Sequence, residues 1–317
     1  MTAVAPEERL WDLLRGALAT RALGIAADLG VAGSLAGGSR PVAELAGAAG
    51  VDADALRRVL RALASDGVFA EEEPGVFRNT EASELLATSG WGEFASLFGG
   101  IWYRAVGELN ASGRPTFPEL FGMDFWSWLA EHPREREQFD VAMAQGQDTR
   151  FERLAKLGWR GNEMIVDVGG GSGSLLIEFL DERPDMHGIV FDLPETVRDE
   201  SAFGDRIEFV AGSFFESVPE GGDVYLLATI LHDWDDENAT RIMQTIRAAA
   251  APDARLIVLD AVVPPGNEPF GPKWLDLLML AMFAGRERDE AQWRTLLAAG
   301  GFEPVRFDER AIEARCH

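Results

Sequence analysis

The segment Asp167-Val-Gly-Gly-Gly-Ser-Gly173 constrains this chain more than any other stretch of it. Four glycines within five residues follow an aliphatic run and precede Ser174-Leu-Leu-Ile177, the pattern of a buried strand that turns tightly into a helix. Aliphatic or β-branched runs recur at 188–192, 206–210, 223–229 and 255–260, with helical stretches between most of them. That alternation predicts an α/β fold with a parallel, doubly wound sheet. Residues 302–308 and 311–316 read as a closing strand pair. Open sheets of this kind bind ligands at the carboxyl ends of their strands, and the glycine turn lies on that edge.

The spacing of the turn narrows the ligand. Asp192, twenty-one residues after Gly171, ends the next strand, where an acid accepts hydrogen bonds from ribose hydroxyls. A dinucleotide turn follows Gly-x-Gly-x-x-Gly/Ala, but position 174 is Ser. The chain offers Asp-x-Gly-x-Gly-x-Gly, with Asp167 two residues before Gly169. A carboxylate there suits a cationic nucleoside better than a pyrophosphate. S-adenosylmethionine, with its ammonium and sulfonium, is such a ligand. A nicotinamide dinucleotide is the competing occupant, and an empty glycine turn is the plain alternative.

The histidine at 232 lies in Ala-Thr-Ile-Leu-His-Asp-Trp-Asp-Asp-Glu, residues 228–237, at the carboxyl end of a predicted strand. A histidine that stood alone would be a core-edge or capping residue. On the ligand-binding edge of such a sheet it becomes a candidate general base. Asp260 ends the next strand on the same edge and is placed to orient the imidazole; its plain reading is a strand-end turn residue. Asp233, Asp235, Asp236 and Glu237 follow directly, and most of them read as a solvated, acidic first helical turn. Glu287 is weaker on spacing alone, because Arg286 and Arg288 flank it and read as its surface partners.

Upstream, residues 1–90 are helical and rich in Ala and Leu, with Leu10, Leu13, Leu14, Ala17 and Leu18 on one helical face. A short helix ends at Gly50, Asp52 or Asp54 caps the next, and two short strands flank Glu71-Glu72-Glu73-Pro74. Helix, turn, helix and β-wing is the winged-helix order. DNA is an unsuitable partner: residues 1–90 carry 8 Arg and 13 acids, so 8 − 13 = −5, and the whole chain carries −24. Nucleic acids and anionic membranes are held largely by Lys and Arg. The apolar first helix instead predicts a homodimer interface.

Residues 91–160 read as a helical connector rich in aromatics, and 161–317 as the α/β domain. No apolar run approaches the ~18 residues of a membrane span. The first residues lack the pattern of a signal peptide, and Cys316 is the only cysteine, so a reducing cytoplasm is expected. No metal-ligand cluster is evident.

These motifs have a known counterpart. The chain resembles the plant-type and bacterial small-molecule O-methyltransferases, the family that includes caffeate and polyketide-antibiotic methyltransferases. The likeness runs along nearly the whole chain, through Ser112-Gly-Arg-Pro-Thr-Phe117, Phe139-Asp-Val-Ala-Met143, Asp167–Gly173, Phe191-Asp-Leu-Pro194, Leu231-His-Asp-Trp234 and Gly285-Arg-Glu-Arg288. It implies a Rossmann-like methyltransferase domain behind a winged-helix-like dimerisation domain. It further implies S-adenosylmethionine contacts at Gly169, Asp192, Ser213 and Phe214, with S-adenosylhomocysteine as product; Asp167, Gly171 and Leu193, in the same two segments, complete the candidate cofactor site. His232 would be the base, flanked by Asp260 and Glu287, and the acceptor a small aromatic molecule. Met143, Trp234, Met279, Met282 and Phe283 are candidate pocket walls; a Met and Phe stripe at helical spacing also suits plain core.

Two departures stand out. Plant relatives carry Lys four residues before the histidine, where this chain has Ala228, and often Asp where it has Ser213. Some relatives keep the cofactor yet catalyse decarboxylation, hydroxylation or pericyclic reactions. If methyl transfer to a phenol is the reaction, an ordinary imidazole at pKa 6.5 faces a phenol near 10. Proton transfer is then uphill by roughly 3.5 units, about 5 kcal/mol.

Overall fold

The computed structural model describes residues 5–88, 90–143, 147–194, 196 and 206–317. The chain divides into two compact units: Met1–Gly107 with His132–Gln145, and Glu108–Glu131 with Gly146–His317.

The first unit opens with the helix Pro6–Asp28, with Pro6 in the first turn, where its missing N–H is not needed. The helices Val42–Ala49 and Ala53–Ser65 follow, separated by Gly50 in the left-handed region. The Asp52 carboxylate accepts the Ala55 N–H at 2.8 Å and caps the second of them. Strands β1 (Arg40–Pro41), β2 (Phe69–Glu73) and β3 (Val76–Asn79) form a small antiparallel sheet in the order β1-β3-β2. Leu56, Leu60 and Leu63 turn inward against Leu35, Leu45, Phe69 and Phe77. The expected helix–helix–wing order is present. Leu10, Trp11, Leu13, Leu14 and Leu18 remain exposed, Leu14 at 73%. An apolar stripe this contiguous is unusual on a monomer surface.

The second unit is built on seven strands: β4 (Met164–Val168), β5 (His187–Asp192), β6 (Ile207–Ala211), β7 (Val224–Ala228) and β8 (Arg255–Leu259), then, beyond the short pair β9 (Val262–Val263) and β10 (Arg288–Asp289), β11 (Phe302–Asp308) and β12 (Ala311–Cys316). Their order is β11-β12-β8-β7-β4-β5-β6. The first five pair in parallel, while β12 runs antiparallel to both β8 and β11. Neighbouring residues point to opposite faces, and both faces are covered. Val166, Tyr225, Leu227 and Val258 enter one core, Ile165, Leu226 and Ile257 the other. From β4 the chain proceeds outward through β5 and β6, then returns to β7 on the other side. The strand order therefore reverses between β4 and β7, opening a crevice at their carboxyl ends. Among the described residues, no helix is long and apolar enough to cross a membrane.

Candidate active site

The glycine turn follows β4 at that crevice. Gly169, Gly171 and Gly173 all have positive φ, which other residues adopt at a cost. Gly169 and Gly170 donate backbone N–H groups to the Phe191 carbonyl, which pins the turn to β5. Asp192 ends β5, where the spacing predicts it. Its Oδ2 accepts the Gly171 N–H at 2.8 Å and its Oδ1 the Leu193 N–H at 2.7 Å. A Cβ at Gly171 would meet no atom of the described residues within 4 Å, so among them the turn faces open space there. At Gly169 a Cβ would strike the Ile230 side chain, with the Phe214 ring close behind.

Asp167 is 2% exposed, and its Oδ1 has no hydrogen-bond partner among the described residues. Burial, reinforced by Asp192 and opposed by Arg150, pushes its pKa up to about 7. A buried carboxylate oxygen without a partner, beside an open glycine turn, fits a cationic nucleoside. Arg150 lies close enough to counter Asp167, and its Nη1 donates to the Thr229 Oγ1 at 3.3 Å. Ser213 Oγ accepts the Phe215 N–H, and Phe214 packs edge-on against Phe215 and Trp234.

β7 ends at Ala228, and Thr229 turns the chain with φ of 57°, a strained conformation for a β-branched residue. A 3-10 turn, Leu231–Asp233, then carries His232, whose side chain is 11% exposed. Its Nδ1 lies 2.9 Å from Glu287 Oε1 and 4.0 Å from Asp260 Oδ1. Its Nε2 lies 3.4 Å from Asp233 Oδ1. Burial pulls the imidazole pKa down, but Asp233, Asp260 and Glu287 outweigh it and lift it to about 10. Burial raises both aspartates against the pull of His232, Asp233 to about 7 and Asp260 to about 6. Leu231 N–H bonds the Asp260 Oδ2, and the Asp276 carboxylate accepts the Glu287 N–H.

Three features differ from the sequence reading. Asp233 is buried rather than solvated, because the next helix begins only at Asp236, with Asp235 as its cap. Arg286 and Arg288 pair with Asp236, which leaves Glu287 to the imidazole. Arg288 is itself fully buried. One cue was available for Asp233: Asp235 with Asn238 is a capping spacing that places 233 outside the helix. Arg150 has no such cue, since its role depends on packing alone. Of the pocket candidates in this unit, Met279 and Met282 are buried, and Phe283 stacks on Trp126 with ring centroids 5.4 Å apart. Met143 ends the helix Pro133–Met143 in the first unit, half-buried.

Comparison with known proteins agrees along the chain. The O-methyltransferase domain family matches residues 103–303, and the O-methyltransferase dimerisation domain matches 11–89. Phenazine O-methyltransferase PhzM of Lysobacter antibioticus is 36% identical over 313 residues, spanning 95% of this chain and 92% of its own. A 3-amino-4-hydroxybenzoate 4-O-methyltransferase of Streptomyces cremeus is 37% identical over 309 residues, 93% of this chain and 85% of that one. Among solved structures, NcsB1 is an O-methyltransferase from neocarzinostatin biosynthesis, crystallised with S-adenosyl-L-homocysteine and 1,4-dihydroxy-2-naphthoic acid. It superposes with a TM-score of 0.82 at 32% identity, covering 94% of this chain and 96% of that chain.

Proposed function

The chain belongs to the O-methyltransferase family, and from that premise we propose that it methylates a phenolic hydroxyl of a small, polyketide-derived aromatic molecule, with His232 as the base. It is an S-adenosylmethionine-dependent enzyme. The observation that carries the reading is the His232 imidazole, held at 2.9 Å by Glu287 and ringed by Asp233 and Asp260, on the sheet edge that also bears the glycine turn. Asp167, Gly169, Gly171, Asp192, Leu193, Ser213 and Phe214 would hold the methyl donor, and Arg150 supplies a cation that Ala228 does not. Bound there, the donor supplies an electrophilic methyl on a positively charged sulfur.

The protein's part is proton management and alignment. With Nδ1–H donating to Glu287, the lone pair of a neutral imidazole is on Nε2, the atom 3.4 Å from Asp233 Oδ1 and the one that would take the acceptor's proton. An imidazole lifted to about 10 matches a phenol near 10, so the transfer judged uphill for an ordinary histidine becomes nearly balanced. The burden moves to emptying the ring, about three pKa units or ~4 kcal/mol at pH 7. The aromatic residues Phe125, Trp126 and Phe283 offer flat surfaces to an aromatic ring.

In this reading residues 1–90 form a dimerisation module, 91–160 a connector and 161–317 the methyltransferase domain. Two copies would pair through the exposed stripe on Pro6–Asp28. The single cysteine accords with a reducing cytoplasm, and the acidic charge with a free small-molecule substrate rather than nucleic acid or membrane.

The test is His232→Ala and His232→Gln. Each should keep donor affinity by calorimetry while turnover of a phenol panel falls by about 10² to 10⁴. S-adenosylhomocysteine formation at near-normal rate in either variant removes the base assignment.

A further inference from the structure

We propose that Arg288 is a positioning residue for the reaction: its buried guanidinium grips the turn that carries His232 and sets that ring's geometry against Glu287. The inference rests on His232 as the base.

The contacts are specific. Arg288 is 0% exposed. Its Nη1 donates to the Leu231 carbonyl at 2.8 Å, and its Nη2 to the Trp234 carbonyl at 2.8 Å. Those two carbonyls bracket His232 and Asp233. A second, longer bond from Nη1 reaches the Arg286 carbonyl, and Nε donates to the Asp236 Oδ1 at 2.9 Å. The guanidinium also lies over the Trp293 ring, 5.4 Å from its centroid. Its position in sequence completes the device. The Arg286 N–H bonds the His232 carbonyl, so residues 286 and 288 both hold the backbone of the turn. Glu287, between them, extends to the imidazole. β10, which begins at Arg288, is in turn paired to β9, just beyond Asp260. One segment thus anchors the turn, delivers Glu287 and is tied to the strand end that delivers Asp260.

A lysine would not replace this arginine. Its three donors radiate from one nitrogen and do not span two carbonyls across the turn, whereas the planar fork does. Burying a guanidinium whose ion-pair partner, Asp236, is 57% exposed is unfavourable for stability alone, and it becomes intelligible if the grip serves the site.

The experiment compares Arg288→Lys and Arg288→Gln with Arg294→Ala, a surface arginine paired with Glu290. Four quantities are read: kcat and KM for a phenolic acceptor, donor Kd by calorimetry, thermal midpoint, and the His232 ring resonances with their titration by NMR. Arg288→Lys should retain donor Kd within about twofold and lose between about tenfold and a hundredfold in kcat, the penalty of a misplaced catalytic group. The His232 resonances should move and titrate at a different pH, and Arg294→Ala should leave both unchanged. If Arg288→Gln does not fold, Arg288→Lys carries the test alone. Unchanged kcat and unchanged His232 resonances in a folded Arg288→Lys protein overturn the proposal. So does a kcat loss that disappears when rates are expressed per folded molecule. A fully active His232→Ala protein would instead remove the base assignment, whatever the NMR of the Arg288 variants shows.

Discussion

Glu287→Gln isolates the charge that most directly touches the His232 ring, proposed above as the base. The substitution keeps a side-chain oxygen that can accept from Nδ1–H, at the position now 2.9 Å from the ring, but removes one negative charge. Two unit charges about 4 Å apart at an effective dielectric near 20 interact by about 4 kcal/mol. At 1.36 kcal/mol per unit, that equals a shift of about three pKa units. His232 stands at about 10 with all three carboxylates in place, so the variant should titrate near 7. The sign is definite: the protonated ring cannot accept a proton, so activity is lost as pH falls through its pKa. The assay is kcat/KM for a phenolic acceptor at saturating methyl donor from pH 6 to 10.5. The parent should rise with unit slope on a logarithmic scale over most of that range. Glu287→Gln should level off about three units earlier, at a lower plateau. If half of the lost basicity is felt in the transition state, the plateau falls by roughly 30-fold. A parent profile that levels off at 6.5 refutes the charge argument. A variant whose midpoint does not move refutes the coupling between Glu287 and the ring.

Other perturbations probe neighbouring parts. Gly285→Ala places a Cβ against the backbone of His232 and Asp233, so kcat should fall at least tenfold with donor affinity intact by calorimetry. Asp167→Asn removes a carboxylate whose folded pKa, about 7, lies above its unfolded value near 3.9. The charged form therefore costs stability above pH 7, and that cost vanishes as pH falls towards 4. The variant should gain up to about 4 kcal/mol by chemical denaturation at pH 8, nothing at pH 4, and lose donor affinity. Leu14→Glu with Leu18→Glu charges the exposed stripe of Pro6–Asp28, and light scattering should then report half the parent mass.

What the sequence made legible was local. Alternating aliphatic runs and a glycine turn are patterns of a few residues, and they specify β4, β5 and the turn between them without tertiary information. Asp192 is legible for the same reason, because its place depends only on the length of one βα unit. His232 could be put at a strand end, but its surroundings could not be read. Glu287 is 55 positions away in sequence, and its flanking arginines suggested a surface cluster. Their actual partner, Asp236, sits in the first turn of a helix and draws both guanidinium groups to itself. Asp233 looked like part of that turn until the cap at Asp235 fixed where the helix begins. Each misreading has one origin: charge placement is decided by which backbones approach, and the Gly285 contact with the His232 turn is such an approach.

The cluster itself shows why stability alone does not explain the site. Each buried ionised group costs several kcal/mol, and well-packed apolar side chains of similar volume would often serve the fold as well or better. Here three buried carboxylates surround one imidazole, and Asp260 Oδ1 and Glu287 Oε2 have no hydrogen-bond partner among the described residues. The carboxylates outnumber the imidazole, so they favour positive charge on the ring. That preference has a use only if the ring must hold a proton against a weak acid. A phenol is such an acid. Methylation of a carboxylate oxygen, already ionised at neutral pH, would need no base and would meet repulsion from the same three groups. On this reasoning the enzyme should turn over a neutral phenol faster than a benzoate of the same size, both compared at saturating donor. Faster methylation of the benzoate oxygen would contradict the link between the charge cluster and the acceptor.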